Sequence, residues 1–278
     1  MKIQYLGTAA AEGIPAIFCD CEKCKKSRLL GGRNIRTRSQ ALVDDRLLID
    51  FPADTYMHFL RYNIPLTKIK NCLITHSHSD HLYPKDLGMR KKIIYSHFEE
   101  EFPLNVYSDK SAYEIMCDIK EDYNLDDNEL LVHQINPYEP FEFDGYNVVA
   151  LRAEHSPITT PVIYLIERDG KSILYAHDTS ELPKESMEYL KTLKKPIDLI
   201  SLDCTFGNSE FPGSGHLTLN RCIDVRKALI EIGAADNKTV FVLNHFTHNG
   251  INVVYDEFVE IAAEHSFEVS YDGMTVEI

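Results

Sequence analysis

No apolar run in these 278 residues approaches the roughly 20 consecutive residues that a membrane-spanning helix needs. Nor does the chain open on a charged-then-apolar leader, since Glu12 and Pro15 interrupt its first 19 residues. Both absences lead to the expectation of a cytoplasmic protein with no membrane partner. Basic charge is scarce: Lys and Arg total 29 against 43 Asp and Glu, giving a formal charge of −14 and a pI of about 5.3. Nucleic acid is a poor expectation as partner, because its phosphates are held by cations. The cysteine count is seven, and an odd number does not close into a disulfide framework. Thiols in a reducing compartment, or a metal site, fit better. No linker or low-complexity tract divides the chain, so one domain over residues 1–278 is expected. With 44% apolar residues it has ample material for a large core.

What the chain does have is Thr75-His76-Ser77-His78-Ser79-Asp80-His81, directly after the apolar run Asn71 to Ile74. That run reads as a buried strand, which places the cluster at a strand end, where functional loops gather. In near-extended backbone His76 and His78 point the same way, so both can bind one metal ion. Asp80 and His81 lie past the bend and can face a second ion. Imidazole with carboxylate suits Zn, Mn, Fe or Ni.

Upstream, Cys19-Asp20-Cys21-Glu22-Lys23-Cys24 puts three thiols within six residues, enough for three ligands of a tetrahedral zinc. A redox pair is the weaker alternative, because the local turn does not read as a helix start. The basic stretch 22–38 (Lys23, Lys25, Lys26, Arg28, Arg33, Arg36, Arg38) reads either as a solvated loop or as an attractor of an anionic substrate. Arg36 and Arg38, just before a strand, could also be structural. Asp44-Asp45, Asp144-Gly145, Asp169-Gly170 and Asp272-Gly273 read as hairpin turns. A helix is expected over 54–62 with Asp54 as its N-cap, and another after Thr218. His58 reads as a surface or packing residue, residues 121–130 as an acidic surface loop. Asp50 could orient a metal-binding histidine or simply bond to backbone. His155, at a strand end before a Pro-containing loop, is a candidate third ligand for the first ion. Asp178, just past another strand, can bridge two ions, whereas His177 faces the other way and reads as structural. His216, between the loop 211–215 and the helix after Thr218, can reach a site as an acid. His245 follows a strand where a second-ion ligand is needed, and His248 can serve the cysteines.

Thr-His-Ser-His-Ser-Asp-His resembles the His-x-His-x-Asp-His signature of the metallo-β-lactamase superfamily, and the resemblance extends over nearly the whole chain. Element order alone supports a mixed α/β chain. The resemblance implies the αββα sandwich, two mixed sheets flanked by helices with the metals at one edge. It also implies two divalent ions, Mn or Zn with Fe or Ni as alternatives. His76, His78 and His155 would hold one, Asp80, His81 and His245 the other, with Asp178 bridging.

Cys19, Cys21, Cys24 and His248 resemble the structural zinc set of the PhnP branch, phosphodiesterases that act on a ribosyl cyclic phosphate. Pyrroloquinoline-quinone biosynthesis relatives share the cysteine cluster, many of them without the catalytic ligands retained here. The long arm of ribonuclease Z is not visible. The expectation is a dinuclear phosphodiesterase for a small, anionic, cyclic diester, in which a metal-bridging hydroxide attacks phosphorus. Asp80 belongs to its catalytic centre and His216 protonates the leaving group. The resemblance implies a homodimer as the assembly to look for. Rival readings are a ribonuclease Z-like nuclease, a lactone or thioester hydrolase, an iron-dependent oxidoreductase and a metal-binding scaffold.

Overall fold

A computed structural model of the protein describes residues 1–99, 102–210, 214–249 and 253–278. The first sheet contains β1 (Lys2–Gly7), β2 (Gln40–Val43), β3 (Leu47–Ile49), β4 (Asn71–Leu73), β5 (Leu104–Ser108) and β6 (Leu130–Gln134). The second is built from β7 (Pro140–Phe143), β8 (Tyr146–Arg152), β9 (Val162–Arg168), β10 (Lys171–Ala176), β11 (Leu199–Asp203), β12 (Val240–Asn244) and β13 (Glu268–Val269). The last strand, β14 (Thr275–Glu277), returns to pair with β1. Both sheets are mixed, with parallel pairs among β3 to β6 and β10 to β13.

Three expected two-residue turns form, and their chemistry explains them. Asp44 and Asp45 both take left-handed backbone (φ 51 and 56), as do Asp144-Gly145 and Asp169-Gly170. Positive φ at both central residues matches the twist of the flanking strands, and Asp and Gly tolerate it best. These turns close β2 on β3, β7 on β8 and β9 on β10.

Apolar residues on both faces of each strand decide the layering. Ala41, Val43, Leu47 and Ile49 face Val148, Tyr164, Ile166 and Ile173 in a core between the sheets. Leu42, Leu48, Cys72 and Val106 point outward, under α3 (Lys110–Asp122), which contributes Ala112 and Met116. The outer face of the second sheet is covered by α4 (Lys184–Lys191), α5 (Leu219–Glu231) and α6 (Tyr255–Ala263), through Leu190, Cys222, Leu229 and Phe258. Each fully buried aliphatic side chain stabilises this sandwich by about 1.5–3 kcal/mol. Among the described residues no helix is long and apolar enough to cross a membrane.

Four local expectations are corrected, and a fifth is narrowed. Asp272-Gly273 is not a hairpin turn: β13 pairs with β12, β14 with β1, and the turn passes from one sheet to the other. The Asp272 carboxylate is the cause, accepting from Thr8 Oγ1 at 2.6 Å and Thr37 N at 2.7 Å beside β1. The segment after Cys21 is a helix, α1 (Glu22–Leu30), because the Cys21 sulfur accepts from Cys24 N as an N-cap. Asp54 sits at the N-cap of α2 (Thr55–Tyr62) without capping it, since its carboxylate is taken by Arg38. Of the two readings of His58, surface or packing, the structure has the second: it is fully buried between Gln40 Oε1 at 2.6 Å and Thr37 Oγ1 at 2.7 Å. Glu129, within the expected surface loop, is buried and paired with Lys91 at 3.0 Å.

Candidate metal centre

The carboxyl ends of β3, β4, β8, β10, β11 and β12 open on one edge of the sandwich, and each delivers a polar side chain there. They are Asp50, the His76–His81 turn, His155, Asp178, Asp203 and His245. Strand ends of this kind are where α/β sheets bind ligands. Asp50, Asp178 and His245 all have positive φ (67, 51 and 65), which turns their side chains off the strand line into the edge. Non-glycine residues hold this conformation only where their surroundings over-determine it.

His76, His78 and His155 form one group, with His155 Nε2 3.1 Å from His78 Nδ1. Asp80, His81 and His245 form a second, with His81 Nε2 3.2 Å from His245 Nε2. Asp178 lies between them. Its Oδ1 is 3.5 Å from His155 Nε2, and its Oδ2 is 2.8 Å from His81 Nε2 and 3.0 Å from His245 Nε2. The structure thus brings together all seven side chains expected around the two ions.

The opposite nitrogens of four histidines are held by the protein. His76 Nδ1 meets Thr75 Oγ1 at 3.1 Å, and His81 Nδ1 meets Asp50 Oδ2 at 2.7 Å. His155 Nδ1 meets the Gly215 carbonyl at 3.0 Å, and His245 Nδ1 meets Thr205 Oγ1 at 2.8 Å. Each bond fixes the ring and leaves Nε2 facing the common centre. Asp50, which also accepts from Thr75 N and Oγ1, therefore orients a histidine rather than only bracing backbone.

Two observations show that this donor set fits metal ions. His76 Nε2 is buried without a hydrogen-bond partner, an arrangement costly unless a cation faces it. The electrostatics agree. Burial drives His76 and His155 below the ordinary histidine range, so their lone pairs are free. Burial also opposes charge on His81, yet Asp178, Asp50 and Asp80 together draw it well above that range. Three carboxylates around one buried imidazole, Asp50 at Nδ1 and Asp80 and Asp178 at Nε2, define a locus that favours positive charge.

His216 lies beside this array, its ring stacked on His245 at 5.6 Å and edge-on to His155 at 4.7 Å. Its Nδ1 is 2.9 Å from Asp203 Oδ2. Burial opposes its charge, but Asp203 outweighs burial and lifts it to about 9. Residues 211–213 of the loop before it lie outside the described residues.

Asp203 is the residue that sequence reasoning missed. Fully buried, it accepts from Asp178 N, Thr205 N and Leu217 N as well as holding His216. Its signal was an acid closing a strand that is apolar but for Ser201, Leu199 to Leu202. His177 is structural as read, bonded to Ser201 Oγ at 2.7 Å.

The second constellation also assembles. His248 Nδ1 lies 3.6 Å from Cys19 Sγ and 3.5 Å from Cys21 Sγ, and Cys24 completes a four-donor group. Burial raises the Cys21 thiol, but the Cys24 N–H, His248 and Cys19 outweigh it and draw the thiol down to about 6. Thiolate character is what a zinc ligand needs.

Most of the basic stretch has partners of its own. Lys23 donates to the Val253 carbonyl, Lys25 pairs with Glu22, Arg28 with Asp20 and Arg38 with Asp54. Arg36 is structural: it is buried against Phe246 and donates at 2.7 Å to Thr8 Oγ1 and the Ser270 carbonyl. None of these cations is among the described residues lining the cleft over the array.

Comparison with known proteins agrees with this architecture. A family model described as a beta-lactamase superfamily domain matches residues 45–246. Coenzyme PQQ synthesis protein B of Acinetobacter baumannii (strain AB0057) is 24% identical over 331 aligned residues, covering all of both chains. Among solved structures, Zn(2+)-bound PqqB from Methylobacterium extorquens superposes with a TM-score of 0.78 at 18% identity, again over the whole of both chains. A diphosphatase from the PhnP family gives 0.73 at 22% identity, over 100% of this chain and 97% of that one. With its two mixed sheets flanked by helices and a family match spanning most of its length, the chain belongs to the β-lactamase superfamily and has the metallo-β-lactamase fold.

Proposed function

We propose that the protein is a dinuclear metal-dependent hydrolase of a small phosphodiester, with Cys19, Cys21, Cys24 and His248 holding a separate structural zinc. The observation that carries this reading is the placement of Asp178, one carboxylate oxygen toward each of two three-residue groups. His76, His78 and His155 would hold one divalent ion, Asp80, His81 and His245 the other, with Asp178 shared. When bound, such a pair supplies an activated water and charge stabilisation at a phosphoryl group. The chain's own residues do the rest. Asp50, Thr75, Thr205 and Gly215 orient the imidazoles. His216, steered by Asp203, holds a proton beside the array and is the acid for a departing alkoxide. The cysteine set and the likeness to a PhnP-family diphosphatase support the PhnP-type phosphodiesterase branch within the superfamily.

A second reading has its own support. The full-length likeness to two PqqB proteins favours a role in coenzyme synthesis similar to theirs. Elemental analysis combined with turnover of bis-nitrophenyl phosphate, with Mn or Zn added, separates the two. About three metals per chain and metal-dependent nitrophenol release are expected for the hydrolase. A fully metallated protein inert toward phosphodiesters would abandon it in favour of the second reading.

A further inference from the structure

We infer that Glu12 makes the cleft over the metal centre selective for singly charged phosphodiesters, against phosphomonoester or diphosphate groups of higher charge. The inference rests on reading the array as a phosphoester site. The cleft, about 290 Å³, is lined by Glu12, Thr205, Phe206, Thr247 and the array. No lysine or arginine is among its described lining residues, and Glu12 is the one charged side chain there outside the array and His216. Arg38, whose Nε donates to the carbonyl of the lining residue Ala11 at 2.8 Å, is paired with Asp54 at 3.0 Å, and Lys110 and Arg152 line a different cavity of about 500 Å³ that also includes His155.

The carboxylate is placed, not loose. Ala10 N donates to the Phe246 carbonyl at 2.9 Å, and Ile14 exchanges backbone bonds of 2.9 and 2.7 Å with Arg36, so the segment carrying Glu12 is tied down at both ends. Thr247 Oγ1 donates to Glu12 Oε1 at 2.9 Å. The same oxygen is 3.9 Å from Nε2 of His248, the ring whose Nδ1 faces the cysteines. An imidazole that binds zinc through one nitrogen offers its other N–H to such a carboxylate. Thr247, on the loop after β12, thus holds a negative charge at the cleft, with the His248 ring close behind it.

Charge then sorts ligands. A diester carries one negative charge, whereas a phosphomonoester near neutral pH carries close to two, its second pKa being about 6. Repulsion from a fixed carboxylate grows with ligand charge, and it opposes an attraction by the bound metals that parent and variant share. Diester hydrolysis turns a monoanion into a dianion, so the residue that admits substrate also favours departure of product.

The test uses the metal-loaded protein and its Glu12→Gln variant, which keeps the acceptor for Thr247. Calorimetry would give the affinities for inorganic phosphate and for dimethyl phosphate. The variant is expected to gain affinity for inorganic phosphate by about tenfold relative to dimethyl phosphate, an advantage that shrinks in high salt. The ratio of nitrophenyl phosphate to bis-nitrophenyl phosphate turnover should rise in parallel. Equal changes for both anions, or none, overturn the inference. Absence of turnover in the unsubstituted protein would count against the hydrolase reading alone, since the binding comparison still reports on Glu12.

Discussion

Asp203 Oδ2 lies 2.9 Å from His216 Nδ1, joining the end of a central strand to a histidine on the loop above it. The same carboxylate accepts the Leu217 N–H at 2.9 Å, so the ring is fixed from both sides of its own peptide unit. His216→Ala should therefore slow esters with poor leaving groups by about a hundredfold or more, and nitrophenyl esters far less. Asp203→Asn should follow the same pattern. Equal losses on the two ester types, measured side by side, would remove the acid role.

Asp50 touches no expected ion but holds His81 Nδ1 at 2.7 Å. Asp50→Ala should weaken binding of the second ion by about 10–100-fold while the three-histidine group keeps its own. Competition against a chelating dye, with two resolved binding steps, checks this. Loss of both ions together would mean that Asp50 braces the whole edge instead.

Cys21 caps α1 and points its sulfur at His248. Cys21→Ser should lower metal content by about one ion per chain and lower the melting temperature, because metal binding and local folding are linked. Unchanged content and melting would show the four-donor group to be empty in solution.

Burial pushes His58 down to about 4, from an ordinary 6.5. The fold therefore prefers the neutral ring, and the sign follows. The contribution is complete above pH 6.5, declines as pH falls, and is lost below about pH 4. It amounts to about 3 kcal/mol across that window. Denaturant titrations of the parent and of His58→Gln between pH 7 and pH 4 should show a shallower acid limb in the variant. Superimposable limbs would mean that the buried ring does not drive acid sensitivity.

How much of this was readable before folding depended on range. The His76–His81 cluster and the Asp44-Asp45, Asp144-Gly145 and Asp169-Gly170 turns are local features, set by side-chain spacing and by which residues tolerate positive φ. His155, Asp178 and His245 were legible as polar residues closing apolar strands, and the family resemblance supplied their grouping. Asp203 has the same local signature, but its role exists only through contacts with Asp178, Thr205 and His216. The start of α1 was hidden because a sulfur served as its cap. The Asp272 turn was hidden because its partners, Thr8 and Thr37, lie more than 230 positions away. The basic stretch stayed open between two readings for the converse reason: its charge was visible, its partners were not.

The array draws on both sheets: His76 to His81 follow β4 of the first, while His155, Asp178 and His245 follow strands of the second. His81 and His245, whose Nε2 atoms meet at 3.2 Å, are 164 positions apart. During synthesis the first three-histidine group can form once residue 155 has emerged, but the second must wait for residue 245. A chain growing on the ribosome would thus pass through a long interval with two carboxylates and one histidine group exposed and the other group incomplete. Completion of the centre comes with the end of β12, ahead of α6, β13 and the return of β14 to β1.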